Sequence, residues 1–308
     1  MASPEVLAKR EEKRRKFDSG HSLCAGCGIP IAVRTILNSI EGDVVASNAT
    51  GCLEVASSRY PTSAWNIPWV HNAFENAAAT ISGVEAAYRV LKRKGKLDKD
   101  IEFVAFAGDG GTYDIGLQSL SGALERGHDF LYICLNNEAY MNTGIQRSSA
   151  TPKGASATTT PAGKESYGEK NWRKNLTEIV ASHGIPYTAQ ASISNLSDLS
   201  KKTEKAVEKE GPSFINVLCT CQLGWRVPPN KAVQTAKIGV DSLYWPLYEV
   251  ENGEYNITYE PKEQLPVEEW LKPQKRFKHL FKPENKEILD EIQKLVEEDW
   301  EMLKKRSS

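Results

Sequence analysis

Gly108-Asp109-Gly110 follows a short, β-rich apolar run, Ile101–Ala107, and Asn136-Asn137 follows a second one, Phe130–Leu135. Residues of these types fit a diphosphate held through a divalent cation. Glycines after a strand let the backbone approach phosphate oxygens, and the helix that follows aims its positive N-terminus at them. Asp109 offers one hard oxygen, Asn137 a second, and the backbone carbonyl near Ala139 a third. Magnesium takes such a small set of protein oxygens and completes its octahedron with phosphate and water. A lone Gly-Asp-Gly is a weak signal; an apolar strand before each half makes it a site.

The cysteines are the second signal. Cys24-x-x-Cys27 lies within His21–Gly28, among glycines at the mouth of a helix. Such a pair can be a redox dithiol, half a zinc site, or two ligands of an iron–sulfur cluster. Cys52 follows 25 residues after Cys27, in Thr50-Gly51-Cys52-Leu53-Glu54, and Cys219 and Cys221 come late. A zinc ribbon would show a second compact Cys-x-x-Cys, which this chain lacks, whereas a cluster tolerates scattered ligands. Cys134, inside an apolar strand, reads as a buried small residue. Cys219 reads as still within the strand Ser213–Cys219, whereas Cys221 falls at or beyond its carboxyl end. We therefore take Cys221 as the fourth ligand. For Glu54, Glu75, His21 and His71, structural hydrogen bonding is a better expectation than proton transfer.

The elements that must position these groups alternate. Ile29–Ser39 reads as a helix, Gly42–Ser47 as a strand and Asn72–Lys92 as a long Ala-rich helix. Ile115–Arg126, Leu176–His183 and Leu196–Lys209 read as further helices. Alternating βαβα with continuous apolar strands predicts an α/β fold, a parallel sheet with helices on both faces. Ligands in such sheets bind at the carboxyl ends of the strands, where both motifs fall. Residues 148–170 are a Ser/Thr/Ala/Gly/Pro-rich loop too long for a simple connector. We expect residues 1–240 to form the cofactor-binding domain. Residues 241–308, aromatic and proline-punctuated with a charged helix from about Glu284 to Lys305, would form a C-terminal arm packing on the core or a partner subunit.

The chain has 308 residues, 40% hydrophobic and 26% charged, enough to bury a substantial core. A net charge of −1 gives no global field for nucleic acid or an acidic membrane. No apolar run approaches a membrane span, and the polar start lacks a signal-peptide core. A soluble, cytoplasmic protein is expected. Residues 4–17 carry six basic side chains and read as a solvated arm or helix, with docking to a partner as the alternative.

Together these segments resemble the β subunit of the 2-oxoacid:ferredoxin oxidoreductases, the pyruvate enzyme (pyruvate synthase) among them. The resemblance rests on His21–Gly28, Asn48–Glu54, Ala64–Trp69, His71–Asn76, Gly108–Gln118, Asn137–Gly144 and Cys221–Trp225. Gly-Asp-Gly with Asn-Asn some 25 residues on is similar to the thiamine diphosphate motif. The resemblance implies a thiamine-diphosphate-binding fold and reversible oxidative decarboxylation of pyruvate to acetyl-CoA and CO2, with coenzyme A as acyl acceptor and ferredoxin as electron acceptor. It implies that Cys24, Cys27, Cys52 and Cys221 hold a [4Fe–4S] cluster and that Asp109, Asn137 and the Ala139 carbonyl bind Mg²⁺. Gly108, Gly110, Gly51 and Cys52 would line the thiamine diphosphate, and Asn142 would face its thiazolium and the substrate. It further implies an α subunit bearing the pyrimidine-side glutamate, with γ and δ subunits beside it.

Overall fold

The computed structural model describes residues 15–308. Eight strands form one sheet: β1 (Asp43–Ala49), β2 (Trp69–Asn72), β3 (Ile101–Gly108), β4 (Leu131–Asn136), β5 (Tyr187–Ser192), β6 (Ser213–Leu218), β7 (Leu247–Glu251) and β8 (Glu254–Tyr259). Their order is β2-β1-β3-β4-β6-β5-β7-β8. The first six run parallel. Strands β4, β5 and β6 are buried at every residue, as they must be between two helical layers.

The helices are α1 (Ile29–Ser39), α2 (Cys52–Ser57), α3 (Ala77–Arg93), α4 (Leu117–Glu125), α5 (Leu176–Ala181), α6 (Leu196–Glu208), α7 (Gln222–Trp225), α8 (Ala232–Asp241), α9 (Val267–Leu271) and α10 (Lys286–Arg306). One sheet face packs against α1, α6, α8, α9 and α10 through Val33, Ile36, Leu199, Ala236, Trp270 and Val296. The other packs against α3, α4 and α5 through Ala78, Ile81, Leu120, Leu124, Leu176 and Val180. Spacing of three and four along α1 puts Ala32, Val33, Ile36 and Leu37 on one buried face.

Three elements differ from expectation. The stretch from Asn72 does not open a helix: Trp69–Asn72 pairs with β1 as an edge strand, and α3 starts only after Asn76. The helix expected from Ile115 begins at Gly110 as a π turn, Gly110–Ile115, before α4. The segment beyond 241 is more than an arm. Asn252 (φ 51°) and Gly253 (φ 87°) turn β7 into β8, and this hairpin pairs antiparallel with β5. Asn-Gly supplies the two positive φ values that a two-residue hairpin turn demands. Helix α10 packs on the core through Ile292, Val296, Trp300 and Leu303. Most of the basic stretch 4–17 lies outside the described residues. Its end is not solvated, since Lys16 is buried with its ammonium on the Leu37 and Ile40 carbonyls and Phe17 packs edge-on to Trp65.

Parallel strands bring the carboxyl ends of β1, β3, β4 and β6 to one rim. The strand order reverses between β1 and β3, and such a switch point opens a crevice. Thr50-Gly51-Cys52 leaves β1 there, and Asp109 leaves β3.

Candidate cofactor and metal site

Asp109 ends β3 and opens the π turn, with 1% of its surface exposed. Its Oδ1 accepts the Asn137 backbone N–H at 3.2 Å, and its Oδ2 accepts the Ser148 hydroxyl. Burial pushes the Asp109 carboxyl up to about 7, against the pull of those two donors. The Asn137 side-chain oxygen lies 3.0 Å from Asp109 Oδ1 and 2.9 Å from the Ala139 carbonyl oxygen. The Asn137 oxygen thus faces two others. Either the amide turns over and donates to both neighbours, or a cation belongs among them. An octahedron with metal–oxygen bonds of about 2.0–2.1 Å has oxygen–oxygen edges of about 2.9 Å, so the spacing fits magnesium.

The surrounding residues hold this loop. Gly110 is fixed by contact, since a Cβ there would lie 2.3 Å from the Tyr140 ring. Tyr140 then donates its hydroxyl to the Gly110 carbonyl at 3.0 Å. Trp225 Nε1 donates to the Asn137 carbonyl at 2.8 Å. Glu138, fully buried between the two Asn137 and Ala139 oxygens, accepts from the Tyr244 hydroxyl and pairs with Arg276. Ser148, Tyr244 and Arg276 lie in no motif, whereas Trp225 closes the segment Cys221–Trp225. Ser148 is the first residue of the unusual Ser/Thr loop, the one hint the sequence offers.

The cysteines divide into two sets. Cys134 and Cys219 are sealed, both with no solvent exposure, and burial drives both thiols well above their ordinary range. The structure ends β6 at Leu218, one residue before Cys219. Cys24 is exposed, and Cys27, Cys52 and Cys221 are half-buried on the rim. Burial pushes Cys27 and Cys52 up to about 12 each, and in both cases Cys221 and Cys24 raise the value further by proximity. Backbone N–H groups oppose this at Cys221, whose Sγ accepts from Gly224 N at 3.3 Å. Grouped thiols that resist ionisation while backbone donors point at them fit a site completed by bound iron. Gly26 and Gly28 let this loop dock. A Cβ on Gly26 (φ 77°) would lie 2.4 Å from the Pro229 carbonyl oxygen, and one on Gly28 would lie 2.8 Å from Thr220 N.

Asn142 links the sets. It is exposed on the rim, and its side chain offsets part of the upward push on the nearby Cys52 thiol. Gly51, two residues beyond the end of β1, caps the helix that opens at Cys52. Among the described residues, no three His, Cys, Asp or Glu side chains crowd around a single metal-ion position. The oxygen set has one carboxylate, and the four thiols are distributed over three loops. His71 Nε2 hydrogen-bonds Thr50 Oγ1 at 2.8 Å, and the Glu54 carboxylate accepts from the Ser58 hydroxyl at 3.4 Å, so both have structural partners.

Residues 49–217 match the family described as thiamine pyrophosphate enzyme, C-terminal TPP-binding domain. Pyruvate synthase subunit PorB of Methanocaldococcus jannaschii is 53% identical over 300 residues, covering 97% of this chain and 99% of that one. The chain belongs to the PorB family of pyruvate synthase subunits. The PorB subunit of Thermotoga maritima is 52% identical, covering 95% of this chain and 92% of that one. A ketoisovalerate oxidoreductase subunit VorB of Pyrococcus abyssi is 46% identical over 99% and 98%. Among solved structures, a 2-oxoglutarate:ferredoxin oxidoreductase from Magnetococcus marinus shares the fold. It has a TM-score of 0.55 at 22% identity, covering 72% of this chain and 79% of that one. Membership of this family makes the chain one subunit of a thiamine-dependent 2-oxoacid oxidoreductase, an enzyme that works with other subunits. No helix among the described residues is long and apolar enough to cross a membrane.

Proposed function

We propose that the chain is the thiamine diphosphate- and [4Fe–4S]-binding subunit of a pyruvate:ferredoxin oxidoreductase. The observation that carries this reading is the Asp109, Asn137 and Ala139 oxygen set at octahedral spacing, on the same rim as the Cys24, Cys27, Cys52 and Cys221 thiols. Asp109 and Asn137 would hold Mg²⁺ with the Ala139 carbonyl, leaving positions for diphosphate oxygens and water. Gly108 and Gly110 keep that approach free of side chains. Bound there, thiamine diphosphate would supply a carbanion for the keto carbon and a cationic ring to take up the electrons released with CO2.

The chain's own residues set the rest. Gly51 and Cys52 bring the thiol set to the cofactor crevice, and Asn142 offers a side-chain amide where substrate would meet it. The four thiols would hold the cluster as a one-electron acceptor beside the cofactor. Among the side chains left exposed near this rim are Leu223 (59%) and Ile115 (54%), which suits a covering α subunit carrying the pyrimidine-side glutamate. Further subunits and ferredoxin would then take the electrons, and coenzyme A the acyl group, within the cytoplasm.

Anaerobic purification with the native partners tests this. The expected result is four irons and four acid-labile sulfides per chain, and Mg²⁺-dependent thiamine diphosphate binding. Viologen reduction should be fastest with pyruvate in a panel that includes 2-oxoisovalerate and 2-oxoglutarate. A colourless, iron-free chain after reconstitution would overturn the cluster assignment, and a preference for 2-oxoisovalerate would overturn the substrate.

A further inference from the structure

The loop that would carry the cation also reaches the thiol set, through two consecutive residues. Asn142 stands near Cys52. Met141, one residue earlier, lies against α7 (Gln222–Trp225), the short helix that Cys221 caps. A Cβ built on Gly224 would lie 2.2 Å from Met141 Sδ and 2.7 Å from Met141 Cε, so the thioether rests on the bare Gly224 Cα. The same Cβ would lie 3.4 Å from Cys221 Sγ. Thioether and thiol therefore flank one small space. A side chain at position 224 would have to push the methionine out of it.

Two kinds of neighbour meet the Cys221 sulfur. The first is polar: Gly224 N–H donates to it at 3.3 Å, and the Leu223 N–H beside it also favours the thiolate. Both donors are fixed by the backbone of α7, whose Leu223 side chain points to solvent at 59% exposure. The second is Met141, half-buried and packed against the same core cluster as Cys27, Cys52 and Cys221. A thioether is a weak acceptor and no donor, so at this sulfur it fills space and excludes water. An unbranched, polarizable side chain suits such an irregular gap. A cluster becomes more negative when it is reduced. Hydrogen bonds and water at its sulfurs favour the reduced form, whereas an apolar cover disfavours it.

We propose that Met141 is a positioning residue for electron transfer: it keeps water off the Cys221 sulfur and so holds the reduction potential of the cluster down. The inference rests on the cluster reading given above. Met141 acts through Cys221 and touches neither substrate nor cofactor. Lowering the potential of the first acceptor makes each electron easier to pass on, because the free energy of transfer follows the potential difference. The cover belongs to the loop of Asn137 and Ala139, so one segment would hold the cation on one side and shield the thiol set on the other.

The test uses the assembled, anaerobic enzyme with Met141→Ala, poised at a series of potentials and read by electron paramagnetic resonance of the reduced cluster. At a fixed potential the ratio of reduced to oxidised cluster should rise about threefold or more, a shift of about 30 mV for one electron. After exchange into D2O, deuteron couplings to the reduced cluster should strengthen. Met141→Leu, apolar and of similar volume, should match the parent in both measurements. Met141→Ala/Gly224→Ala places a methyl in the vacated space, with Cys221 Sγ at 3.4 Å as its nearest remaining contact, and should bring the midpoint back toward the parent value. If Met141→Ala loses iron, Met141→Val carries the same measurements. An unchanged or lowered midpoint in the truncated variant overturns the proposal, as does a shift in Met141→Leu as large as that in Met141→Ala. The iron content and reduced-cluster signal of the parent enzyme separate this failure from failure of the cluster reading.

Discussion

Arg276 and Glu138 form an ion pair, Nη2 to Oε2 at 2.5 Å, with side chains only 4% and 0% exposed. Glu138 lies between Asn137 and Ala139 with a φ of 67°, and the Asn137 side-chain oxygen beside it faces both Asp109 Oδ1 and the Ala139 carbonyl oxygen. The Arg276 guanidinium also sits 4.3 Å over the Trp225 ring, whose Nε1 holds the Asn137 carbonyl. A residue from the last fifth of the chain thus locks the loop that would carry the cation.

Arg276→Met leaves the Glu138 carboxylate buried without its cation. Breaking a buried pair in this way costs about 3–5 kcal/mol, and replacing both partners recovers much of it. Urea unfolding of Arg276→Met and of Glu138→Gln/Arg276→Met measures both values. A single-variant loss below about 1 kcal/mol, the worth of a surface pair, would mean that the pair does not lock the loop.

Asp109→Ala removes the one charged oxygen of the cation set. Thiamine diphosphate affinity at ordinary Mg²⁺ should fall by at least about a hundredfold, beyond the usual loss for an outer hydrogen-bond partner. Iron and sulfide content should stay as in the parent. Calorimetry with Mg²⁺ and thiamine diphosphate reads the first, and retained affinity would remove Asp109 from the site.

Ser148→Ala deletes the hydroxyl that orients Asp109 Oδ2. The expected loss in Mg²⁺ affinity is about 10–100-fold, with stability little changed because the site keeps the Asn137 N–H donor. Titration with Mn²⁺ followed by electron paramagnetic resonance would show it. Equal Mn²⁺ affinity in variant and parent would make Ser148 a packing residue.

Much of the architecture was legible because burial imposes a period. Ala32, Val33, Ile36 and Leu37 announce α1, and the unbroken apolar runs announce β3 and β4. Asp109, Asn137 and Ala139 were legible because a strand end before each half fixes where the oxygens fall. The π turn was hidden, since Gly110-Gly111 carries no periodicity. Strand β2 was hidden because it is four residues long and only residues 73–76 separate it from the Ala-rich helix. Strands β7 and β8 were obscured by prolines on either side, although Asn252-Gly253 stood between two alternating runs. The Arg276–Glu138 contact joins residues 138 positions apart, and no local pattern encodes it.

Strand β7 docks through Glu249, which accepts from the Tyr187 hydroxyl, Lys205 and Asn256. Burial raises the carboxyl, but Lys205, Tyr187 and Asn256 outweigh it and leave it below its usual range. A depressed folded value contributes stability that is present above the unfolded value and lost as pH falls through the folded one. Glu249→Gln should therefore destabilise at pH 7, and the gap from the parent should narrow as pH drops below about 4. Unfolding midpoints across that range decide it; a gap that widens in acid would contradict the assignment.

Without a partner the chain should be inactive. Apolar Leu223 and Ile115 stand exposed near the rim, and no second cysteine set is available to carry electrons onward. The chain alone, reconstituted anaerobically with Mg²⁺, thiamine diphosphate, coenzyme A, pyruvate and a viologen, should give no sustained dye reduction. Sustained reduction by this chain alone would show that no partner subunit is needed to complete the site.

The most direct measurement is electron paramagnetic resonance of the assembled, anaerobic enzyme, frozen after mixing with Mg²⁺, thiamine diphosphate and pyruvate. The account predicts the signal of a reduced [4Fe–4S] cluster in the parent enzyme, and its loss in Asp109→Ala with iron content intact. A cluster that stays oxidised in the parent, with pyruvate and every other 2-oxoacid tried, would contradict the account.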